Sequence, residues 1–215
     1  MTKIFFNILD IQRQQILRQL YKVLKDEFYL SGGTALALQI AHRESLDFDL
    51  FKDEDIKFSL KRKILNLFKN YSIKVLVDTS DEFSLVLNNE IKLTFLAYWW
   101  KPIFPLIKIP NCVPILSIKD IATTKAYALG RRNNYRDYFD LYVIIKNRYA
   151  TLKNIIIWCK KKYAEVFSER MFIEQLLYLE DITPDRKLKF LKEKFVEPKD
   201  LAKFFEKEIK KLKIL

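Results

Sequence analysis

Two of the three glycines in this chain stand side by side, at Gly32 and Gly33, and they punctuate the stretch from Tyr29 to Phe51. An apolar run, Phe28-Tyr29-Leu30, halts at Ser31-Gly32-Gly33 and gives way at once to the helix formers of Thr34 to Ala41. That order predicts a strand, a tight turn and a helix. Leu46 to Phe51 then alternates apolar and acidic residues, the period of a half-buried strand. With three glycines and six prolines in 215 residues, the chain has little flexible linker.

Around this stretch the pattern predicts a helix over residues 8–25 and another over 58–70. Three strands are expected at 73–77, 83–87 and 91–96, with Asn88-Asn89 as a turn. After Pro114 the character changes. Ser117 is placed to cap a helix running to Leu129, with Asp120 in its first turn and Gly130 as its stop. Helical stretches follow at 134–146, 152–163, 169–180 and from 185 to the C-terminus, the last broken at Pro198. The expected fold class is α/β (α+β): a small mixed sheet flanked by helices, then an all-helical C-terminal half. The expected domains are 1–114 and 115–215.

The two cysteines, Cys112 and Cys159, lie far apart without paired spacing, which argues against a disulfide framework or a zinc knuckle. No apolar run approaches a membrane span, and the opening residues lack a secretory pattern, so the chain is read as soluble and cytoplasmic. The net charge of +12 suits a polyanionic partner and, equally, a Lys-rich surface that is basic for no specific reason.

Asp47 and Asp49 are two apart on an expected strand and so share a face, with Phe48 and Leu50 turned to the core. Two carboxylates on one face repel unless a cation joins them, and a hard divalent ion carrying phosphate suits them. Gly32-Gly33 ahead of a helix lets backbone N–H groups approach an anion, with Thr34 adding a hydroxyl donor. Arg131, Arg132 and Arg136 cluster in a way suited to phosphate or an RNA backbone. Asp137 and Asp140, three apart on a helix, are neighbours, and Asp137 equally suits a salt bridge to Arg132 or Arg136. His42, the single histidine, suits a structural hydrogen bond better than acid–base work.

Leu30 to Leu38 (LSGGTALAL) and His42 to Phe51 (HRESLDFDLF) together resemble the AbiEii/AbiGii-type nucleotidyltransferase toxins, which include the MenT toxins and belong to the polymerase-β-like superfamily. The resemblance continues at Lys92-Leu93-Thr94, at Asp120 to Lys125 and at Arg136 to Leu141. It implies a nucleotidyltransferase fold and transfer of a nucleotidyl group from a nucleoside triphosphate (NTP), with Mg2+ or Mn2+. The implied acceptor is the 3′ end of a tRNA, and the implied partner is a cognate antitoxin. A protein acceptor, as in AMP-modifying relatives, and a catalytically silent RNA-binding module are the rival readings.

By the same resemblance Gly32, Gly33 and Thr34 hold triphosphate, and Asp47 and Asp49 bind the metal. Ser45 contacts phosphate or is itself modified, and Lys125 neutralises phosphate charge. Either Asp137 or Asp140 completes the site, with Arg43, Asp120 and Arg136 as further candidates. Thr94 stands where polymerases of this superfamily often carry a third carboxylate.

Overall fold

The computed structural model describes residues 3–129, 131, 132 and 134–212; Gly130, expected to stop a helix, lies outside them. Five strands, β1 (Tyr29–Ser31), β2 (Phe48–Lys52), β3 (Ile73–Asp78), β4 (Glu82–Leu87) and β5 (Ile91–Ala97), form one mixed sheet in the order β1-β2-β5-β4-β3. Only the β2–β5 pair is parallel. Among the described residues eight α-helices accompany it: α1 (Ile11–Leu24), α2 (Gly32–Ile40), α3 (Phe58–Leu67), α4 (Ile118–Ala128), α5 (Tyr135–Lys146), α6 (Leu152–Tyr163), α7 (Glu169–Leu177) and α8 (Pro198–Leu212). The chain forms two compact units, one of Met1–Ala41 with Ser45–Ser117, the other of His42–Glu44 with Ile118–Leu215.

In the first unit the apolar alternation of the strands lays down a core. Leu30, Phe48, Leu50, Leu85, Leu93 and Phe95 are fully buried, and the rings of Phe28 and Phe83 each lie 6.0 Å from that of Phe95. Helix α1 begins at an Asp10 cap that accepts from the Arg13 N–H, and it buries Ile16, Leu17, Leu20 and Leu24. The β4–β5 hairpin turns where expected. Asn88 and Asn89 both adopt left-handed φ, which asparagine tolerates better than most residues, and the Glu90 N–H closes the turn on the Leu87 carbonyl.

Three local expectations are corrected. Gly32 and Gly33 are not a separate turn; they are the first residues of α2, which leaves β1 directly. The strand begins at Phe48, so Asp47 precedes it. Residues 185–197 are not helical, because their backbone is used elsewhere: in the second unit, Glu44 N–H donates to the Lys189 carbonyl and Leu191 N–H to the His42 carbonyl. The rings of Phe190 and Phe195 pack against Phe139 and Tyr135. Pro198 starts α8 rather than breaking a helix, as its missing N–H allows at a first position.

In that second unit Asn134 caps α5, and Thr151 with Asn154 forms a capping box on α6. Phe139, Leu141, Ile144, Ile155, Leu201 and Phe205 build its core.

Candidate active site

The first unit gathers the glycines, Thr34, Ser45, Asp47, Asp49 and Thr94 around the start of α2. Gly32 has φ +69°, and a Cβ built on it would sit 2.1 Å from a carboxylate oxygen of Asp49. The glycine is therefore required twice over, by its backbone and by the acid pressed against it. Ser31 occupies the N-cap of α2, yet its side chain makes no capping hydrogen bond. The positive end of that helix thus starts beside the Asp49 carboxylate.

The Thr34 hydroxyl, expected at the anion, is engaged within the protein. It donates to the Asp47 carbonyl at 2.5 Å and shares a 3.1 Å hydrogen bond with the Ser45 hydroxyl. Arg13 Nε donates to the Leu46 carbonyl at 3.3 Å. Residues 45–47 are thereby fixed from two sides, with the Asp47 side chain exposed and Asp49 half-buried.

Pairing register places Thr94 of β5 beside Asp49 of β2 on the same face. Sequence reading did not single out Ser84, which the hairpin pairs with Thr94. The signal was present: a turn at Asn88-Asn89 sets the β4–β5 register and hence the residue opposite Thr94.

Among the described residues no group of three or more His, Cys, Asp or Glu could hold a metal. Two aspartates alone fit magnesium, which takes one or two carboxylates and completes its shell with phosphate and water. The abutment of Asp49 on the α2 start would bring those phosphates to the same place.

Replacing Gly32 with Ala should displace the Asp49 carboxylate and add about 1–2 kcal/mol of backbone strain. The expected outcome is a folded protein, by circular dichroism, in which any activity that uses the Asp49 carboxylate falls about tenfold or more.

The second unit gathers His42, Arg43, Lys125, Asp137 and Asp140 into a buried charge cluster. Arg43 Nε and a terminal guanidinium nitrogen donate to the two Asp140 oxygens at 2.7 and 2.8 Å. His42 Nε2 lies 2.9 Å from Asp140, and Lys125 Nζ lies 2.9 Å from Asp140 and 2.6 Å from Asp137. Arg132 closes the group, donating to both oxygens of Asp137 at 2.7 and 3.0 Å.

Burial would push the Asp140 carboxyl up, but the Arg43 and Lys125 charges and the His42 hydrogen bond hold it well below the usual range. Burial lowers the His42 pKa, so the ring is neutral. Its proton then sits on Nε2, toward Asp140, and Nδ1 has no partner among the described residues.

Lys125, expected to neutralise phosphate, is thus buried and compensated by two aspartates of its own unit. Its pKa is raised: Asp140 and Asp137 outweigh the burial that would lower it. The other candidates are paired too. Asp120 and Lys162 make a fully buried ion pair at 3.0 Å that ties α4 to α6, and Arg136 pairs with Asp185 at 2.9 Å.

The sequence profile of the family described as "Nucleotidyl transferase AbiEii toxin, Type IV TA system" matches residues 15–212. An uncharacterised protein of Aquifex aeolicus (strain VF5) is 33% identical over 180 residues, covering 79% of this chain and 82% of its own. Two solved structures from Helicobacter pylori have the same fold. JHP933 has TM-score 0.56 and 19% identity, covering 96% of this chain and 95% of its own. A protein described as a nucleotidyltransferase has TM-score 0.55 and 18% identity, covering 95% and 96%. The antibiotic-resistance factor ANT(2'')-Ia, solved in complex with adenylyl-2''-tobramycin, has TM-score 0.50 and 14% identity, covering 72% of this chain and all of its own. With the family matched over most of its length, this chain belongs to the AbiEii nucleotidyltransferase toxins.

Proposed function

We propose that the chain transfers a nucleotidyl group from an NTP to the 3′ end of a tRNA, with Mg2+ bound by Asp47 and Asp49. The observation that carries this is the packing of the Asp49 carboxylate against Gly32, at the start of a helix whose N-cap side chain makes no capping hydrogen bond. Gly32, Gly33 and the α2 N-terminus orient the triphosphate through backbone N–H groups and the helix dipole. Thr34 and Ser45 position Asp47. The acceptor hydroxyl oxygen attacks the α-phosphorus, the bond to the α–β bridging oxygen breaks, pyrophosphate leaves, and the hydroxyl proton passes to solvent. A bound magnesium offsets charge on the phosphates.

Lys125, Asp137 and Asp140 enter as positioning residues, since their charges are satisfied inside the helical unit. They anchor residues 42–44, which run covalently into Ser45 and Asp47. The RNA acceptor is supported by charge. The unit of 42–44 and 118–215 carries 24 Lys and Arg against 15 Asp and Glu, or +9 of the chain's +12. A catalytic core over 1–114, a helical half over 115–215 and a cognate antitoxin from the type IV system belong to the same proposal. Among the described residues no helix is long and apolar enough to cross a membrane.

Incubation of the protein with each of the four labelled NTPs, Mg2+, and separate total-RNA and total-protein pools tests the reading. Label on tRNA-sized RNA, from one preferred NTP and only with the metal, is expected. Label on protein would replace the acceptor, and salt-sensitive RNA binding indifferent to NTP and metal would overturn the enzyme.

A further inference from the structure

The end of α5, the turn into α6 and the last turns of α8 border an open cavity of about 580 Å³, a size common among binding sites. Its floor is apolar: Ile145 and Leu152 are buried, and Phe204 and Leu212 are half-buried. Around the floor stand Lys146, Arg148, Lys153 and Lys211, against the single acid Glu208.

These cations are of two kinds. Lys146 pairs with Glu193 and Lys211 with Glu208, so both are already compensated. Arg148 and Lys153 are exposed, and their side chains have no ion pair or hydrogen bond among the described residues. Arg148 also has φ +59°, one residue past the Asn147 C-cap of α5, where glycine is the usual occupant. An arginine there bears backbone strain that glycine would not. The rim thus carries two uncompensated positive charges over an apolar floor, one of them held in a conformation that its residue type disfavours.

This chemistry selects the occupant. The floor takes apolar side chains, and the two unpaired cations take carboxylates. A nucleobase fits worse. The Thr151 hydroxyl donates to Asn154 and the Glu208 carboxylate is held by Lys211, so neither polar side chain is open to a base edge. Glu208 would also repel a phosphate.

We infer that this cavity is the docking site of a protein partner, which lays two apolar side chains of an acidic helix across Leu152 and Phe204 and sets its carboxylates against Arg148 and Lys153. Every residue named belongs to the helical unit, and none takes part in the proposed transfer.

The test is fluorescence anisotropy with the full chain. The probe is a short labelled synthetic peptide with two leucines one helical turn apart among glutamates. Wild type should bind it with a Kd of about 10–100 µM. The same peptide with serines for the leucines should bind about tenfold more weakly or worse, an arm that needs no variant of the protein. Arg148→Glu with Lys153→Glu should weaken the leucine peptide about tenfold or more without moving Tm, since both positions are exposed and unpaired. A leucine peptide with lysines for the glutamates should then bind the double variant better than it binds the wild type.

Equal binding of the serine peptide, no loss in the double variant, or no binding tighter than about 1 mM overturns the docking site. Labelled oligouridylate that binds the wild type more tightly than the leucine peptide does, and loses that binding in the double variant, makes the cavity an RNA contact and overturns it equally.

Discussion

Arg43→Ala should lower folding stability by about 3–5 kcal/mol, the usual cost of removing one partner from a buried ion pair. Arg43 is 1% exposed and Asp140 0%, so water cannot replace the lost guanidinium. Asp140 would keep Lys125 and His42 but lose both bonds of the fork, and Lys125 is already shared with Asp137. Replacing both partners, as Arg43→Met with Asp140→Leu, should recover part of the loss: Lys125 keeps Asp137, while the buried His42 Nε2 loses its acceptor. Urea denaturation of the wild type and both variants decides the matter: a single variant within about 1 kcal/mol of wild type would show that the cluster does not hold residues 42–44.

Residues 42–44 join the end of α2 to Ser45 and Asp47, so loosening Arg43 should slow transfer under conditions in which the variant remains folded.

Much of this was legible in the chain, and what was not has a physical reason. The β4–β5 hairpin followed from strand alternation and the Asn88-Asn89 turn, both local. Asp49 and Thr94 were readable as candidates because acid alternation and motif order lie in the sequence. The non-helical course of 185–197 was not readable, since its pattern of Lys, Phe and Leu is helical by composition. What overrides it is a backbone partner at 42–44, about 145 residues upstream.

The surroundings of Lys125 were not readable for a similar reason. Sequence offers a cation after Asp120, but only packing shows that Asp137 and Asp140, one helical turn apart, both close on it. Gly32 was marked as a residue permitting close approach, and its neighbour proved to be the Asp49 carboxylate.

The largest expected effect on activity comes from Asp49→Asn. It keeps the size and hydrogen-bonding shape of the side chain and removes the charge that would hold the metal at the α2 start. Asp49 is half-buried beside Gly32, so folding should be little affected. Transfer should fall by about 10³-fold or more, or roughly 4 kcal/mol of transition-state stabilisation. Asp47→Asn, exposed and just ahead of the strand, should do the same with still less effect on stability.

The most direct test is therefore label transfer from NTP to RNA by wild type and Asp49→Asn at matched Tm, with and without Mg2+. The account predicts transfer by the wild type in Mg2+ alone and none by the variant; undiminished transfer by the variant would contradict it.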